Sequence, residues 1–319
     1  MRLGVLDVGS NTVHLLVVDA HRGAHPTPTS SRKLALKLAE RITGGGKLSD
    51  RGTNDLVRAI AEMRDEAKRL HCDDFMAFAT SAVREASNVN DVLGRVRVDT
   101  GVDLRVLSGE EEAQLTFLAA RRWCGWSAGR LLVLDIGGGS LEMAIGMDEV
   151  PDLAFSLPLG AGRLTRTRLA HDPPNKTELA ALGAWLAGEM QPVAEQMRTI
   201  ELPDRVVATS KTFRTLARLT GAAPSSFGPR VRRVLTDAGL RQLISFISRM
   251  SSTDLAELEG VSAGRAHQLV AGAMVADAAM RALSLNELEI CPWALREGVI
   301  LRRLDHTNGA DELAGQGSP

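Results

Sequence analysis

Apolar residues occur in short blocks along this chain, and one arrangement of blocks occurs twice. Leu3-Gly4-Val5-Leu6 and the run from Val13 to Val18 flank Asp7-Val8-Gly9-Ser10-Asn11-Thr12. Leu131-Leu132-Val133-Leu134 and the run from Leu141 to Ile145 flank Asp135-Ile136-Gly137-Gly138-Gly139-Ser140. A short apolar run cut by Gly, Ser and Asn and then resumed reads as strand, tight turn, strand, with the Asp at the end of a buried strand. Further strands are predicted near 31–38, 75–79, 104–107, 152–157 and 288–290. Helical spacing predicts helices near 49–70, where Leu56, Ile60, Met63, Ala67 and Leu70 recur, and near 89–99, from 109, and near 177–197, 236–249, 263–283 and 293–304. The first half therefore runs β-β-β-α-β-α-β-α, and the second half opens the same way before turning helical. A duplicated pattern of this kind predicts two related α/β domains with a cleft between them. The boundary is expected at Gly125 to Gly129, giving domains 1–124 and 125–306, with the last helix a candidate to pack back on the first domain. The Gly/Ser/Pro-containing tail, 307–319, is expected to be disordered.

The bulk properties narrow the class. A chain of 319 residues, 44% hydrophobic and 24% charged, has the composition of an ordinary globular protein large enough for two cores. Its net charge of −1 gives no global attraction to nucleic acid or an anionic membrane, so neither is an expected partner. No stretch approaches the roughly 18 apolar residues of a membrane span, and Asp7 cuts the N-terminal apolar run too early for a secretory signal. Cys72, Cys124 and Cys291 are far apart and odd in number, which fits reduced thiols in a cytoplasmic protein. The seven histidines show no close pairing, which argues against a histidine metal site, and the four tryptophans read as core or domain-interface residues.

The candidate chemistry is that of phosphate. Glycines let backbone approach an anion, hydroxyls and N–H groups donate to its oxygens, and an Asp beside the loop can hold a divalent cation. This nominates Ser10, Asn11 and Thr12 in the first loop and Gly137, Gly138, Gly139 and Ser140 in the second, with Asp7 and Asp135 as metal ligands. Strand alternation puts Glu142 on the same face as Ser140, where it joins them as a third metal ligand or stays a solvated carboxylate. Arg84, in Thr80-Ser81-Ala82-Val83-Arg84 just after a strand, can take a phosphate or pair with Glu85 or another surface acid. Arg163 in Gly160-Ala161-Gly162-Arg163-Leu164 and Lys211 in Thr209-Ser210-Lys211-Thr212 stand at helix starts, where anions bind. In Ser108-Gly109-Glu110-Glu111-Glu112, Ser108 suits an N-cap and Glu111 its reciprocal partner. That leaves Glu112 as the candidate base for a water attacking phosphorus, the alternative being an acidic first turn that only serves the helix dipole.

Taken in order with Gly109-Glu110-Glu111-Glu112-Ala113, Pro158 to Leu164 and Ala294-Leu295-Arg296-Glu297-Gly298, these motifs resemble the exopolyphosphatase / guanosine pentaphosphate phosphohydrolase (Ppx/GppA) family, especially its short actinobacterial exopolyphosphatases. The family belongs to the actin and hexokinase superfamily, and the resemblance covers nearly the whole chain. It implies two ribonuclease-H-like domains with an interdomain active-site cleft, and magnesium, with manganese as a substitute, as cofactor. The implied reaction is removal of terminal phosphate from inorganic polyphosphate or from pppGpp. On this resemblance Glu112 is the water-activating base, Asp135 and Glu142 lie close to metal and water, and Ser10, Asn11 and Arg84 contact phosphate. Two departures bear on substrate. His14 stands where longer members often carry Arg, and the turn at Thr209 to Thr212 lacks the glycines usual for nucleoside binding. Because the chain ends near 319 without the extra C-terminal helical domains with which the family's long exopolyphosphatases grip long polymers, the expectation is an exopolyphosphatase of short chains, with a pppGpp 5′-phosphohydrolase, a non-catalytic polyphosphate or alarmone sensor and a kinase of the same superfamily as rivals, and with a homodimer as the assembly such enzymes often form.

Overall fold

The computed structural model describes residues 1–21 and 26–315, and the side chains of all of these up to residue 306. Two compact units emerge, Met1–Leu115 joined by the chain from Leu295 on, and Thr116–Ala294. The first unit contains β1 (Arg2–Val8), β2 (Thr12–Asp19), β3 (Pro28–Ala35), α1 (Asp50–Arg69), β4 (Asp74–Ala79), α2 (Ser81–Arg84), α3 (Val89–Thr100), β5 (Leu104–Val106) and the start of α4 (Gly109–Cys124). The second contains the rest of α4, then β6 (Leu131–Ile136), β7 (Leu141–Gly146), β8 (Leu153–Leu157), α5 (Ala161–Arg168), α6 (Lys176–Met197), β9 (Arg205–Thr209) and α7 (Ser210–Leu219). It continues through β10 (Val234–Thr236), α8 (Asp237–Ile247), α9 (Ser252–Ala256), α10 (Leu269–Ala282) and β11 (Glu287–Ile290), after which α11 (Leu295–Gly315) belongs to the first unit.

The duplication is visible in the sheets. The first has order β3-β2-β1-β4-β5; the second, read from its other edge, has β8-β7-β6-β9-β11, with β10 added beyond. In both, the first three strands form an antiparallel meander and the remaining two equivalents run parallel to the central one. Each unit thus has the ribonuclease-H-like sheet.

Strand parity then assigns side chains to faces. In the first unit Leu6, Val8, Val13, Leu15 and Val17 pack with Leu56, Ile60 and Met63 of α1 and Val92 and Val96 of α3. Their alternates Leu3, Val5, Leu16 and Val18 pack with Leu115 of α4 and Ile300 and Leu304 of α11. Asp7 and His14 have the parity of this second set, so they face the side covered by α4 and α11. The second unit is built on one large core that runs from Leu132, Leu134 and Ile136 to α6, α7, α8 and α10.

The pattern differs from the sequence expectation in places. The division between the units falls inside α4 rather than at Gly125 to Gly129, because Leu115 packs with the first sheet and α11. β3 ends at Ala35, and Lys37 then takes a left-handed conformation (φ 50°) that turns the chain into a short 3₁₀ segment, Leu38–Arg41. The helix expected at 263–283 begins as 3₁₀ over Ala263–Gln268 and becomes α only at Leu269. The last helix, expected to stop near 304, is continuous to Gly315. The expected tail is thus helical over its first part, where Ala310, Glu312, Leu313 and Ala314 are good helix formers, and residues 316–319 lie outside the described residues.

Candidate active site

Both hairpin loops are built on one plan. Val8 pairs with Val13 and Ile136 with Leu141, leaving four-residue loops in each case. Gly9 N–H donates to the Thr12 carbonyl at 3.0 Å, and Gly137 N–H to the Ser140 carbonyl at 2.9 Å. One register position below the loop, Asp7 lies opposite His14 and Asp135 opposite Glu142. Cross-strand partners share a face, so each loop carries a polar pair on one side of its sheet.

In the first unit the candidate residues form a connected chain of contacts. Ser10 and Ser81 hydroxyls meet at 3.0 Å, linking the first loop to α2. Arg84, at the end of α2, donates from Nη1 to the Leu107 carbonyl at 2.9 Å and to Glu112 Oε1. The capping box forms as expected: Glu111 N–H donates to Ser108 Oγ at 3.1 Å, and Ser108 N–H to Glu111 Oε2 at 2.8 Å. Those contacts, led by the Ser108 N–H, hold the Glu111 carboxyl below its ordinary pKa, with Arg105 adding to the effect. Glu112, one residue on and about 100° around the helix, is instead turned inward and only 6% exposed. The sequence leaves Arg84 to phosphate, to Glu85 or to a surface acid; its ionic partner in the structure is the buried Glu112. Ser10 and Asn11 are buried, and carbonyls of the loop accept from the segment after β3: Asn11 from Leu36 and Lys37, Ser10 from Ala39.

In the second unit the glycine loop is fixed from outside by the turn that opens α5. Ala161 N–H donates to the Gly137 carbonyl at 3.0 Å and Arg163 N–H to that of Gly138 at 2.9 Å, while Arg163 Nε reaches the Gly139 carbonyl at 2.8 Å. Arg163 therefore braces the loop rather than standing as an isolated surface cation. Ser140 and Glu142 are buried, and Glu142 Oε1 accepts from Ser156 Oγ at 2.9 Å. Thr212 Oγ1 donates to the Ile136 carbonyl at 3.0 Å, tying the start of α7 to the same loop. Lys211 lines a small pocket with Thr212, Arg265 and Gln268.

Among the described residues no three His, Cys, Asp or Glu side chains converge as a metal site. Of the three nominated ligands, Asp135 and Glu142 are cross-strand partners in the second unit, and Asp7, in the first unit, lies 3.9 Å from Arg296 Nε. Paired hard oxygen donors fit a magnesium ion, which keeps several waters and takes phosphate oxygens in place of a full protein cage.

The sequence from 17 to 307 matches the model of the Ppx/GppA phosphatase family. The chain belongs to that family. It is 64% identical over 305 residues to a Mycobacterium tuberculosis protein named Exopolyphosphatase 1, covering 96% of this chain and 89% of that one. An Aeromonas hydrophila protein named guanosine-5′-triphosphate,3′-diphosphate pyrophosphatase is 27% identical over 96% of this chain and 60% of its own length. The crystal structure of an exopolyphosphatase from Cytophaga hutchinsonii matches with a TM-score of 0.85 at 24% identity, covering 96% of this chain and 98% of that one. The Aquifex aeolicus PPX-GPPA enzyme matches with 0.78 at 25%, covering 95% and 99%.

For a Ppx/GppA member, two cations near the candidate residues escape a reading of the sequence. Arg296, at the start of α11, brings its Nη1 to 3.4 Å from His14 Nε2, which also meets Ser31 Oγ at 2.7 Å. Arg296 thus brings a guanidinium beside position 14 from the far end of the chain. Its motif, Ala294 to Gly298, is visible in the sequence, but the contact joins residues 282 apart. Arg265 lies in an irregular 3₁₀ segment with no loop signature, so no local signal marks it. A cavity of about 770 Å³ between α6, α8 and α10 is lined by none of the nominated residues. No helix among the described residues is long and apolar enough to cross a membrane.

Proposed function

We propose that this chain is a magnesium-dependent exopolyphosphatase that removes the terminal phosphate of inorganic polyphosphate, with Glu112 as the base. The observation that carries the reading is the division of labour between neighbouring glutamates: Glu111 is consumed by the helix cap, while Glu112 is buried beside Arg84, whose helix also makes the Ser10–Ser81 link. The 64% identity to a protein named Exopolyphosphatase 1 supports the same substrate class.

In this reading Glu112 accepts a proton from water as the water oxygen bonds to the terminal phosphorus. The bridging P–O bond breaks, its electron pair leaves with the shortened chain, and orthophosphate is released. Within the first unit Ser10, Asn11 and Thr12 offer donors to a phosphate. Within the second unit the glycine loop ending in Ser140 and braced by Arg163 offers close backbone approach, and Lys211 at the start of α7 offers positive charge. Asp135 and Glu142 would hold the magnesium, which when bound neutralises phosphate charge and orients the reacting groups. Fixed charges and dipoles of this kind provide the larger share of rate enhancement in such reactions.

The test is orthophosphate release with Mg²⁺ from short polyphosphate, long polyphosphate, pppGpp and ATP by wild type and Glu112→Gln. Release from polyphosphate that the substitution lowers by about 10²-fold or more supports the proposal. A preference for pppGpp would move the chain to the phosphohydrolase branch, and binding without release from any substrate would make it a sensor.

A further inference from the structure

Arg84 is paired with the residue proposed as the base. One guanidinium nitrogen serves both the Leu107 carbonyl and Glu112, and Glu112 is buried. An ion pair in which one partner is buried is costly to break, so an incoming anion must compete with Glu112 for the same guanidinium. A doubly charged phosphate offers a guanidinium the same forked geometry with more charge. We infer, on the reading of Glu112 as the base, that Arg84 is a positioning residue that exchanges between Glu112 and the substrate's terminal phosphate. Without substrate it clamps the base; with phosphate present it moves to the anion and leaves the Glu112 carboxylate to a water. The base is thereby released only when there is phosphorus to attack.

The contacts make the exchange short-range. Ser81 and Arg84 lie on the same short helix, and Ser81 already touches Ser10 of the first loop, so an anion held at that loop is presented to α2 itself. Because the clamp must be undone on binding, part of the intrinsic affinity for phosphate is withheld.

Glu112→Gln keeps the side-chain shape but removes the charge that competes for Arg84, so it should tighten phosphate binding. The probe is the P–NH–P analogue of tripolyphosphate with Mg²⁺, titrated by calorimetry into wild type, Glu112→Gln, Arg84→Gln and the double variant. The expected result is about tenfold tighter binding by Glu112→Gln than by wild type, with no such gain when the same change is made in the Arg84→Gln background. A gain that persists without Arg84 reports simple relief of repulsion and overturns the exchange, as does no gain at all. If Arg84→Gln does not fold, Arg84→Lys takes its place; the gain should then shrink, and an undiminished gain overturns the exchange. Wild type that binds the analogue and hydrolyses tripolyphosphate while Glu112→Gln gains nothing sinks the exchange alone. Wild type that does neither sinks the polyphosphate reading together with it.

Discussion

Gly160→Ala isolates the packing that shapes the second glycine loop, which the proposed function assigns to phosphate. Gly160 has ordinary backbone angles (φ −71°, ψ 144°), so alanine meets no conformational penalty there. The obstacle is space. A Cβ built on Gly160 falls on the backbone of Gly139 and Ser140, well inside the 3.0 Å that real Cβ atoms keep, and no flexible side chain is available to yield. Either the loop or the start of α5 must retreat on the order of 1 Å, and a misplacement of that size at a reacting centre costs about 10²-fold in rate. Overpacking of this kind also destabilises by about 1–3 kcal/mol. Gly188→Ala is the matched control: it lies in α6 with nothing within 4 Å of its Cβ, and should leave activity unchanged while stabilising by about 0.5–1 kcal/mol. Orthophosphate release and thermal unfolding on the three proteins decide the matter. A Gly160→Ala protein with wild-type kcat and Tm would refute the claim that this contact sets the loop.

Other contacts lead to three more expected outcomes. Glu111→Ala should cost about 1 kcal/mol in unfolding experiments by removing half of the capping box, with kcat within a few-fold of wild type; a loss as deep as that of Glu112→Gln would reverse the assignment of the two glutamates. Gly298→Ala drives a Cβ into the Leu115 carbonyl of α4, so it should destabilise by about 2 kcal/mol and lower activity through the helix that carries Glu112, measured by the same two assays. Glu178, bonded to His171 and to the Asn175 and Ala170 N–H groups, has its pKa lowered to about 2. A depressed carboxylate stabilises fully above its unfolded value of about 4.3 and loses that contribution as pH falls through its folded value. The Tm gap between wild type and Glu178→Gln should therefore be widest near neutral pH and close between about pH 4 and 2, and a gap independent of pH would contradict it.

What can be read from the sequence is what local pattern encodes. The duplicated hairpins, the strand and helix order and the Ser108–Glu111 cap are each specified by residues close together in the chain, and each appears in the structure. The partners of the charged residues are not legible in the same way. Arg84 pairs across 28 positions with Glu112, and Arg296 reaches His14 from the other end of the chain. Arg121, wholly buried in α4, donates to the carbonyls of Gly129 and Gly146, an arrangement with no sequence signature because its acceptors are backbone. Burial lowers its pKa, yet a helix segment reading Ala-Ala-Arg-Arg gives no reason to expect an interior charge.

The duplicate also shows where the two hairpins differ. Strand order and loop closure are common to both units, so they are dictated by the fold. What differs lies at a few positions: Ser10 and Asn11 against Gly138 and Gly139 in the loops, and His14 against Glu142 opposite the aspartates. Both loops are braced by neighbouring segments, the first through a side chain as well (Ser10–Ser81) and through its carbonyls. The loop with three glycines has only Ser140 to offer as a side chain, and it is held through its carbonyls by Ala161 and Arg163, with Thr212 bonded to the preceding Ile136 carbonyl. The carboxylate pair Asp135 and Glu142 falls in the unit with the glycine loop, and the ion pair of Arg84 with Glu112 in the unit with the Ser-Asn loop. Swapping Gly139 for Asn should therefore not convert the second loop into a copy of the first, because the start of α5 packs directly on the Gly139 backbone and leaves the loop a different surrounding. Orthophosphate release by Gly139→Asn should fall, and undiminished release would show that the two loops are interchangeable.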